Sequence, residues 1–519
     1  METGLDFLLS NKTYLGIFFS GLLVVVFVTP LIKRLAWRLG AVDRPNHRKI
    51  HQEPTPLMGG LAIYVGMWLP ILGLCFWDNA VTERLGEGWM QFAVVALAGA
   101  AAMLSGVWDD MQGINAWRKL AVQIPLALLF TIYVGHFHSL TLPLLGEMDL
   151  GYLGIGLTII WIVGITNALN LIDGIDGLAT GVAFFVSLTN SILALLSGND
   201  FLALIMLAMA GACLGFLFYN FSPAKIFLGD TGSLFLGMTL ATSSILSSSK
   251  SQVAASLLVA VVVLGYPVVD TLLAMLRRAL HGKPMFSADR GHIHHRLLAK
   301  GLGHRRAAIM IYAFCAALSA LALSIVAQNS LIAGASLLII GAMVMLGFRT
   351  LGFSKLFLPQ HVRETRARFL AVHHLGELLR AKLSLAASLP QIYGLFEQAA
   401  AEFGLRTLQL ELEPALLAPG QARRYSWTNP EAAEGDPEDE ESALFFNAEA
   451  GLEIRIRYCA SELHEDLTGE YLFQLSGLAD AAAARIKALA RAQGPRPMAK
   501  AREQTSPPLE PDRVHKITT

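Results

Sequence analysis

Stretches apolar enough to cross a bilayer recur about eleven times before Arg349, and this repetition constrains the fold more than any single motif. They lie near residues 14–32, 57–77, 90–108, 117–135, 152–168, 178–197, 201–219, 233–247, 253–276, 307–327 and 330–348. The chain has 519 residues, is 54% hydrophobic and only 15% charged, with a mean hydropathy of +0.51. That balance excludes an ordinary soluble domain and predicts an all-α polytopic membrane protein. The first run is long and follows Asp6 and Lys12 without a small-residue cleavage pattern, so no cleavable signal peptide is expected. Four scattered cysteines (Cys75, Cys213, Cys315, Cys459) give neither a disulfide framework nor metal-ligand spacing.

Lysine and arginine set the expected orientation. The loop after the first run carries Lys33, Arg34, Arg38, Arg44, Arg48 and Lys49, and the ninth loop is equally basic, from Arg277 to Arg306. Loops of the other parity are nearly free of basic residues, with none in 136–151 and only Arg84 in 78–88. The odd loops and the region after the last run should face the cytoplasm, with the N-terminus outside.

Four polar clusters then fall on that same face. Asp109-Asp110 begin the third loop. Asn167-Ala-Leu-Asn170-Leu-Ile-Asp173-Gly-Ile-Asp176-Gly-Leu-Ala forms the fifth, Asn220 to Gly232 (with Gly229-Asp230-Thr231-Gly232) the seventh, and His292-Ile-His294-His295-Arg296 lies in the ninth. Charge at a membrane boundary is costly and marks a functional site by default. Carboxylates suit a hard cation such as Mg²⁺, which takes one or two of them and completes its shell with water and phosphate. Glycines beside them let backbone approach a phosphate, and imidazole and guanidinium groups neutralise a diphosphate. Together these residues point to phosphoryl transfer between a soluble nucleotide and a lipid phosphate.

Each cluster alone has a plainer reading. Asp109-Asp110 suits a solvated helix end, Asp173-Gly-Ile-Asp176-Gly a tight turn, and Asp230 or Ser233 a helix cap. The histidines suit a basic loop that obeys the positive-inside rule, and they lack the partners of a zinc motif. Coincidence of all four on one face is what these readings leave unexplained.

The set resembles the signature of the polyprenyl-phosphate N-acetylhexosamine-1-phosphate transferases. It comprises Asp109-Asp110, the Asn167–Ala179 motif, Asn220-x-x-Pro223 through Gly229-Asp230-Thr-Gly-Ser, and His292-Ile-His294-His295-Arg296. Pro56-Leu-Met-Gly59-Gly60 resembles that family's second-helix entry. The likeness covers about residues 14–348. It is closer to the bacterial undecaprenyl-phosphate N-acetylglucosamine-1-phosphate transferases than to the peptidoglycan branch, which has a third consecutive histidine where this chain has Arg296.

The resemblance implies transfer of a sugar 1-phosphate from a UDP-N-acetylhexosamine to undecaprenyl phosphate with Mg²⁺ or Mn²⁺, releasing UMP. It implies Asp110 and Asp230 as metal carboxylates, and Asp109 as a base or orienting group at the lipid phosphate. Asn167, Asn170 and Asp173 would contact the nucleotide, with Asp176 supporting their loop. His292, His294, His295 and Arg296 would lie near the diphosphate, and Lys119 and Lys49 near the lipid phosphate. It places the protein in the bacterial inner (cytoplasmic) membrane with the active site facing inward. Lipid bilayer, undecaprenyl phosphate and the UDP-sugar are the expected partners, and nucleic acid is not. The amino sugar, the polysaccharide pathway (O-antigen or lipopolysaccharide among them) and a homodimer stay open.

Residues 1–350 are expected to form the membrane-embedded core, 351–493 a cytoplasmic α+β accessory module with a protein partner of its own, and 494–519 a tail whose proline and charge content predicts disorder. In the module, helices are expected over Arg363–Ala387 and Leu463–Ala492, and strands over Leu408–Leu412, Ala443–Phe446 and Leu452–Tyr458. An acidic loop is expected over Glu431–Glu441. The rival function is a transporter, which intramembrane carboxylates also suit. One-sided clustering and the lack of an inverted repeat argue against it. A structural scaffold is a third reading.

Overall fold

A computed structural model of the chain describes residues 12–43, 54–74, 76, 89–142, 146–250, 256–282, 291–326, 330–353, 358–403, 405–412, 424–428, 440–447, 452–459 and 468–492. The expected Lys49, the acidic loop 431–441 and the tail 494–519 lie outside the described residues, apart from the first two residues of a strand at Glu440.

Helices occupy the apolar runs. In chain order they are α1 (Lys12–Leu39), α2 (Gly59–Leu74), α3 (Trp89–Gln112), α4 (Ala116–Tyr133), α5 (Leu153–Ile172), α6 (Leu178–Leu196), α7 (Asp200–Asn220), α8 (Gly229–Lys250), α9 (Ser256–Val263), α10 (Gly265–His281), α11 (Ile293–Ala299), α12 (His304–Val326) and α13 (Ser330–Thr350). Among the described residues, seven are long and apolar enough to cross a membrane: α1, α3, α5, α6, α7, α12 and α13. α2 is shorter, α4 carries Arg118 and Lys119, α8 is rich in serine and threonine, and the ninth run is split into α9 and α10 at Leu264.

Two compact units divide the chain. The first holds residues 1–44, 54–276 and 290–354, and the second holds 45–53, 277–289 and 355–519. The division after residue 354 lies near the expected boundary, and the end of α10 groups with the later residues. Gly282, just past α10, lies beside the Arg366 side chain, whose Nε would be 3.4 Å from a Cβ there.

In the first unit α7 is the central helix, with 83% of its apolar window buried, and it packs against α1, α2 and α6. A helix apolar on every side belongs inside a bundle. α8 packs against α2, α3, α5 and α6. Small residues allow this closeness: a Cβ on Gly106 of α3 would sit 2.3 Å from the carbonyl oxygen of Asp230 at the start of α8. The start of α8 is thereby locked to the end of α3, with Asp109-Asp110 a turn further on. Strands β1 (Val42–Asp43) and β2 (Thr55–Pro56) pair antiparallel, as do β3 (Ser139–Leu142) and β4 (Gly146–Asp149) between α4 and α5.

The second unit contains α14 (Pro359–Leu385), α15 (Leu389–Glu402), strands β5 (Thr407–Leu412), β6 (Arg424–Thr428), β7 (Glu440–Asn447) and β8 (Leu452–Cys459), and α16 (Thr468–Ala492). The sheet is antiparallel in the order β6-β5-β8-β7. α15 and β6 were not expected from sequence. Leu379, Ile392, Phe396, Leu408, Leu410 and Leu478 build its core from α14, α15, β5 and α16.

Candidate active site

α3, α5 and α8 bring their polar ends to one end of the first unit. Asp109 accepts from the Ile114 amide at 2.6 Å through Oδ1, and its Oδ2 is paired with the Lys119 ammonium. The same ammonium pairs with Oδ2 of Asp230. One cation therefore holds two carboxylates together, from helices far apart in sequence. Asn170, in the last turn of α5, donates to Oδ1 of Asp230 at 2.6 Å and to Ser233 Oγ at 2.9 Å.

Asp110 is occupied differently. Its Oδ1 accepts from the Asp230 amide at 2.8 Å, and its Oδ2 accepts from the Thr231 amide at 3.2 Å and from Thr231 Oγ1 at 2.6 Å. It satisfies the free amides at the start of α8 from another helix, as a capping residue does. These three bonds make Asp110 an anchor for the start of α8, and they leave its carboxylate a lone pair to spare.

The α5–α6 loop carries Asp173 and Asp176. Asp176 accepts from the Ala224 amide at 2.9 Å, which ties the loop to the segment before α8. Tyr312 closes the loop from behind, donating to the Gly177 carbonyl at 2.6 Å. Asp173 is half-buried, and no hydrogen bond is formed by its carboxylate among the described residues. Burial, followed by the nearby charges of Asp230, Asp110 and Asp176, pushes its pKa well above the ordinary carboxylate value. Asn167 is not part of this gathering: its amide donates to Gln123 Oε1 at 2.6 Å and to the Val163 carbonyl. Asn167 thereby links α5 to α4.

The histidines sit on the short α11. The rings of His292 and His294 are near-parallel with centroids 5.7 Å apart, and His295 lies 4.3 Å from His294. His294 is 1% exposed, and neither of its ring nitrogens has a hydrogen-bond partner among the described residues. Burial, followed by the neighbouring His295, lowers its pKa to about 3, so the ring is neutral. Its Nε2 faces the Asp173 loop at Gly174. A buried ring with two unsatisfied nitrogens is costly by itself and suits a polar ligand.

Arg296 points elsewhere. It donates to the Leu351 carbonyl at 2.8 Å and to the Gly291 carbonyl at 3.2 Å, and its guanidinium stacks 4.2 Å from the Phe353 ring. These contacts clamp α11 to the end of α13. Sequence reasoning also missed Asp270, buried on α10, which holds His292 and the Ile293 amide.

Among the described residues no three of His, Cys, Asp and Glu converge with metal-ligand spacing. Asp109 and Asp230 nevertheless share one cation, and Asn170 adds an amide that presents oxygen after a half-turn. That donor set fits a divalent ion completed by phosphate and water.

The profile of glycosyl transferase family 4 matches residues 92–248, which span α3 to α8 and hold Asp109, Asn170, Asp173 and Asp230. A probable undecaprenyl-phosphate N-acetylglucosaminyl 1-phosphate transferase of Bacillus subtilis is 40% identical over 296 residues, covering 57% of this chain and 80% of that protein. The chain belongs to glycosyl transferase family 4. Two further relatives are a decaprenyl-phosphate N-acetylglucosaminephosphotransferase of Mycolicibacterium smegmatis, 37% identical over 60% of this chain and 81% of its own length, and a phospho-N-acetylmuramoyl-pentapeptide-transferase of Lactiplantibacillus plantarum, 33% identical over 54% and 88%.

Proposed function

We propose that this membrane enzyme transfers N-acetylglucosamine 1-phosphate from UDP-N-acetylglucosamine to undecaprenyl phosphate. The products are undecaprenyl-diphosphate-N-acetylglucosamine and UMP, and the lipid product starts a cell-envelope polysaccharide. The observation that carries this reading is the convergence of Asp109 and Asp230 on Lys119, beside Asp173 and the buried His294. The basic first and ninth loops support a bacterial cytoplasmic membrane with this end facing the cytoplasm.

An oxygen of the lipid phosphate attacks the sugar-bearing phosphorus of the donor. A P–O bond forms there, the bridging P–O bond to the nucleotide breaks, and UMP leaves with the electron pair. The lipid phosphate is already anionic near neutral pH, so no proton need be removed. Lys119 steadies the attacking phosphate between Asp109 and Asp230. Asp173 accepts from the nucleotide, and His294 donates one N–H to the diphosphate, which excludes water from that wall. Mg²⁺ or Mn²⁺, held by Asp230, Asp109 and the Asn170 amide, would supply neutralisation of the diphosphate charge. The geometry supports direct attack, because Asp109 and Asp230 are each already paired with Lys119.

The test is UMP release by purified protein given undecaprenyl phosphate and a panel of UDP-sugars. Turnover with UDP-N-acetylglucosamine that stops in EDTA and returns with Mg²⁺ is expected. No UMP release from any UDP-sugar would remove the proposal.

A further inference from the structure

The carboxylate of Asp270 is 1% exposed and lies on α10 between apolar neighbours. A buried carboxylate is tolerated only when its oxygens are paired. Both are: Oδ2 is 2.9 Å from Nδ1 of His292, and Oδ1 accepts from the Ile293 amide at 2.7 Å. These partners are consecutive residues at the start of α11. A helix of seven residues does not hold its own orientation. Asp270 and the Arg296 clamp supply it from outside.

The pairing also fixes chemistry. Where the carboxylate accepts, Nδ1 of His292 is the donor and Nε2 is the nitrogen not bound to Asp270. His292 in turn stacks on His294, whose Nε2 faces Gly174. The chain of contact thus runs from Asp270 through His292 and His294 to the Asp173 loop. We infer that Asp270 is a positioning residue for the transferase reaction, setting the tautomer of His292 and the pose of the α11 histidines. This inference rests on the proposed function of the same site.

Asp270→Asn is the discriminating variant, because it keeps size and the acceptor for Ile293 but presents an amide N–H to Nδ1. His292 must then accept at Nδ1 and move its proton to Nε2. Loss of such an outer partner costs roughly 10–100-fold in activity. The expected result is a kcat lower by about that factor, KM for UDP-N-acetylglucosamine within about threefold, and an unchanged melting temperature. His292→Gln should lose as much, and the double variant no more than the worse single one. If wild-type protein does not turn over UDP-N-acetylglucosamine, the proposed function fails and this experiment does not begin. If wild type is active and Asp270→Asn keeps kcat within about threefold, or the two losses multiply, the inference is wrong. Should Asp270→Asn melt early, His292→Gln decides alone: a stable protein with wild-type kcat overturns the inference, and a matched loss of kcat upholds it.

Discussion

Nε2 of His294 lies where a side chain on Gly174 would begin: a Cβ built there would be 2.5 Å from it. The imidazole is buried. Gly174→Ala should therefore displace the ring or the Asp173 loop, and a displacement of about 1 Å near the chemistry costs on the order of 100-fold. Measured as kcat/KM for UDP-N-acetylglucosamine, the loss should nearly vanish in a His294→Ala background, where the clash is relieved. An equal loss in both backgrounds would show that Gly174 matters for another reason.

Lys119 holds Asp109 and Asp230 in place of a shared divalent charge. In Lys119→Met the two carboxylates repel each other and gain affinity for a cation. Turnover should fall on the order of 100-fold or more, while the Mg²⁺ concentration for half-maximal activity moves down. An Mg²⁺ requirement that is unchanged or higher would show that Lys119 does not hold the shared cation position. Lys119→Arg should also be impaired, since a planar fork does not replace a compact ammonium.

Asp110 and Asp230 should fail in different ways. Asp110→Asn weakens three hydrogen bonds at the start of α8. Hydrogen bonds to a charged group contribute about 1.5–3 kcal/mol each, so the variant should melt several degrees lower. Asp230→Asn should melt like wild type and lose nearly all transfer. Melting curves in detergent, beside UMP release, test the pair. A thermally normal, inactive Asp110→Asn would place Asp110 in the chemistry.

How much of this was legible in the sequence depended on the kind of partner involved. The apolar runs and the one-sided clusters were readable because lipid and charge impose rules on composition. Asp109, Asn170, Asp173 and Asp230 were found through motifs, and they do meet at one end of the first unit. Asp270 was not found: it is a single carboxylate among the apolar residues at the start of α10, and its partner His292 is far along the chain. The bond from Arg296 to Leu351 was not legible because a backbone carbonyl has no sequence signature. The anchoring of Asp110 was not legible either, because two of its three donors are backbone amides of α8. In the second unit β6 escaped because its residues alternate between exposed and half-buried, with no buried face to betray a strand. α15 escaped because Leu389-Pro390 reads as a break, although proline is welcome in a first helical turn.

Asp173 should limit stability in order to serve binding. Its raised pKa means that the folded protein keeps this proton at a pH where the unfolded chain has released it. The sign follows: the folded state loses stability as pH rises above the ordinary value of 3.8. Asp173→Asn removes that penalty, so without substrate it should melt higher than wild type at neutral pH. Its KM for UDP-N-acetylglucosamine should rise at least tenfold if the carboxylate accepts from the nucleotide. A variant less stable than wild type at pH 7 would show that Asp173 is a structural acid.

His294 gives the opposite pH signature. In the unfolded chain its ring titrates near 6.5, whereas burial and the nearby His295 hold the folded-state value at about 3. Above pH 6.5 the ring is neutral in both states and contributes no pH dependence. Below 6.5 the unfolded chain takes up a proton that the folded protein refuses, so stability falls progressively until the folded-state ring titrates near 3. His294→Gln keeps a polar side chain but removes the titration. The difference in melting temperature between His294→Gln and wild type should therefore shift in favour of the variant as pH is lowered from 7.5 to 4.5. A difference that stays flat across that range would mean that His294 takes up its proton in the folded state as readily as in the unfolded chain. The wall of the diphosphate site would then be cationic at acid pH, and His294 would not be the neutral donor on which the proposed mechanism relies.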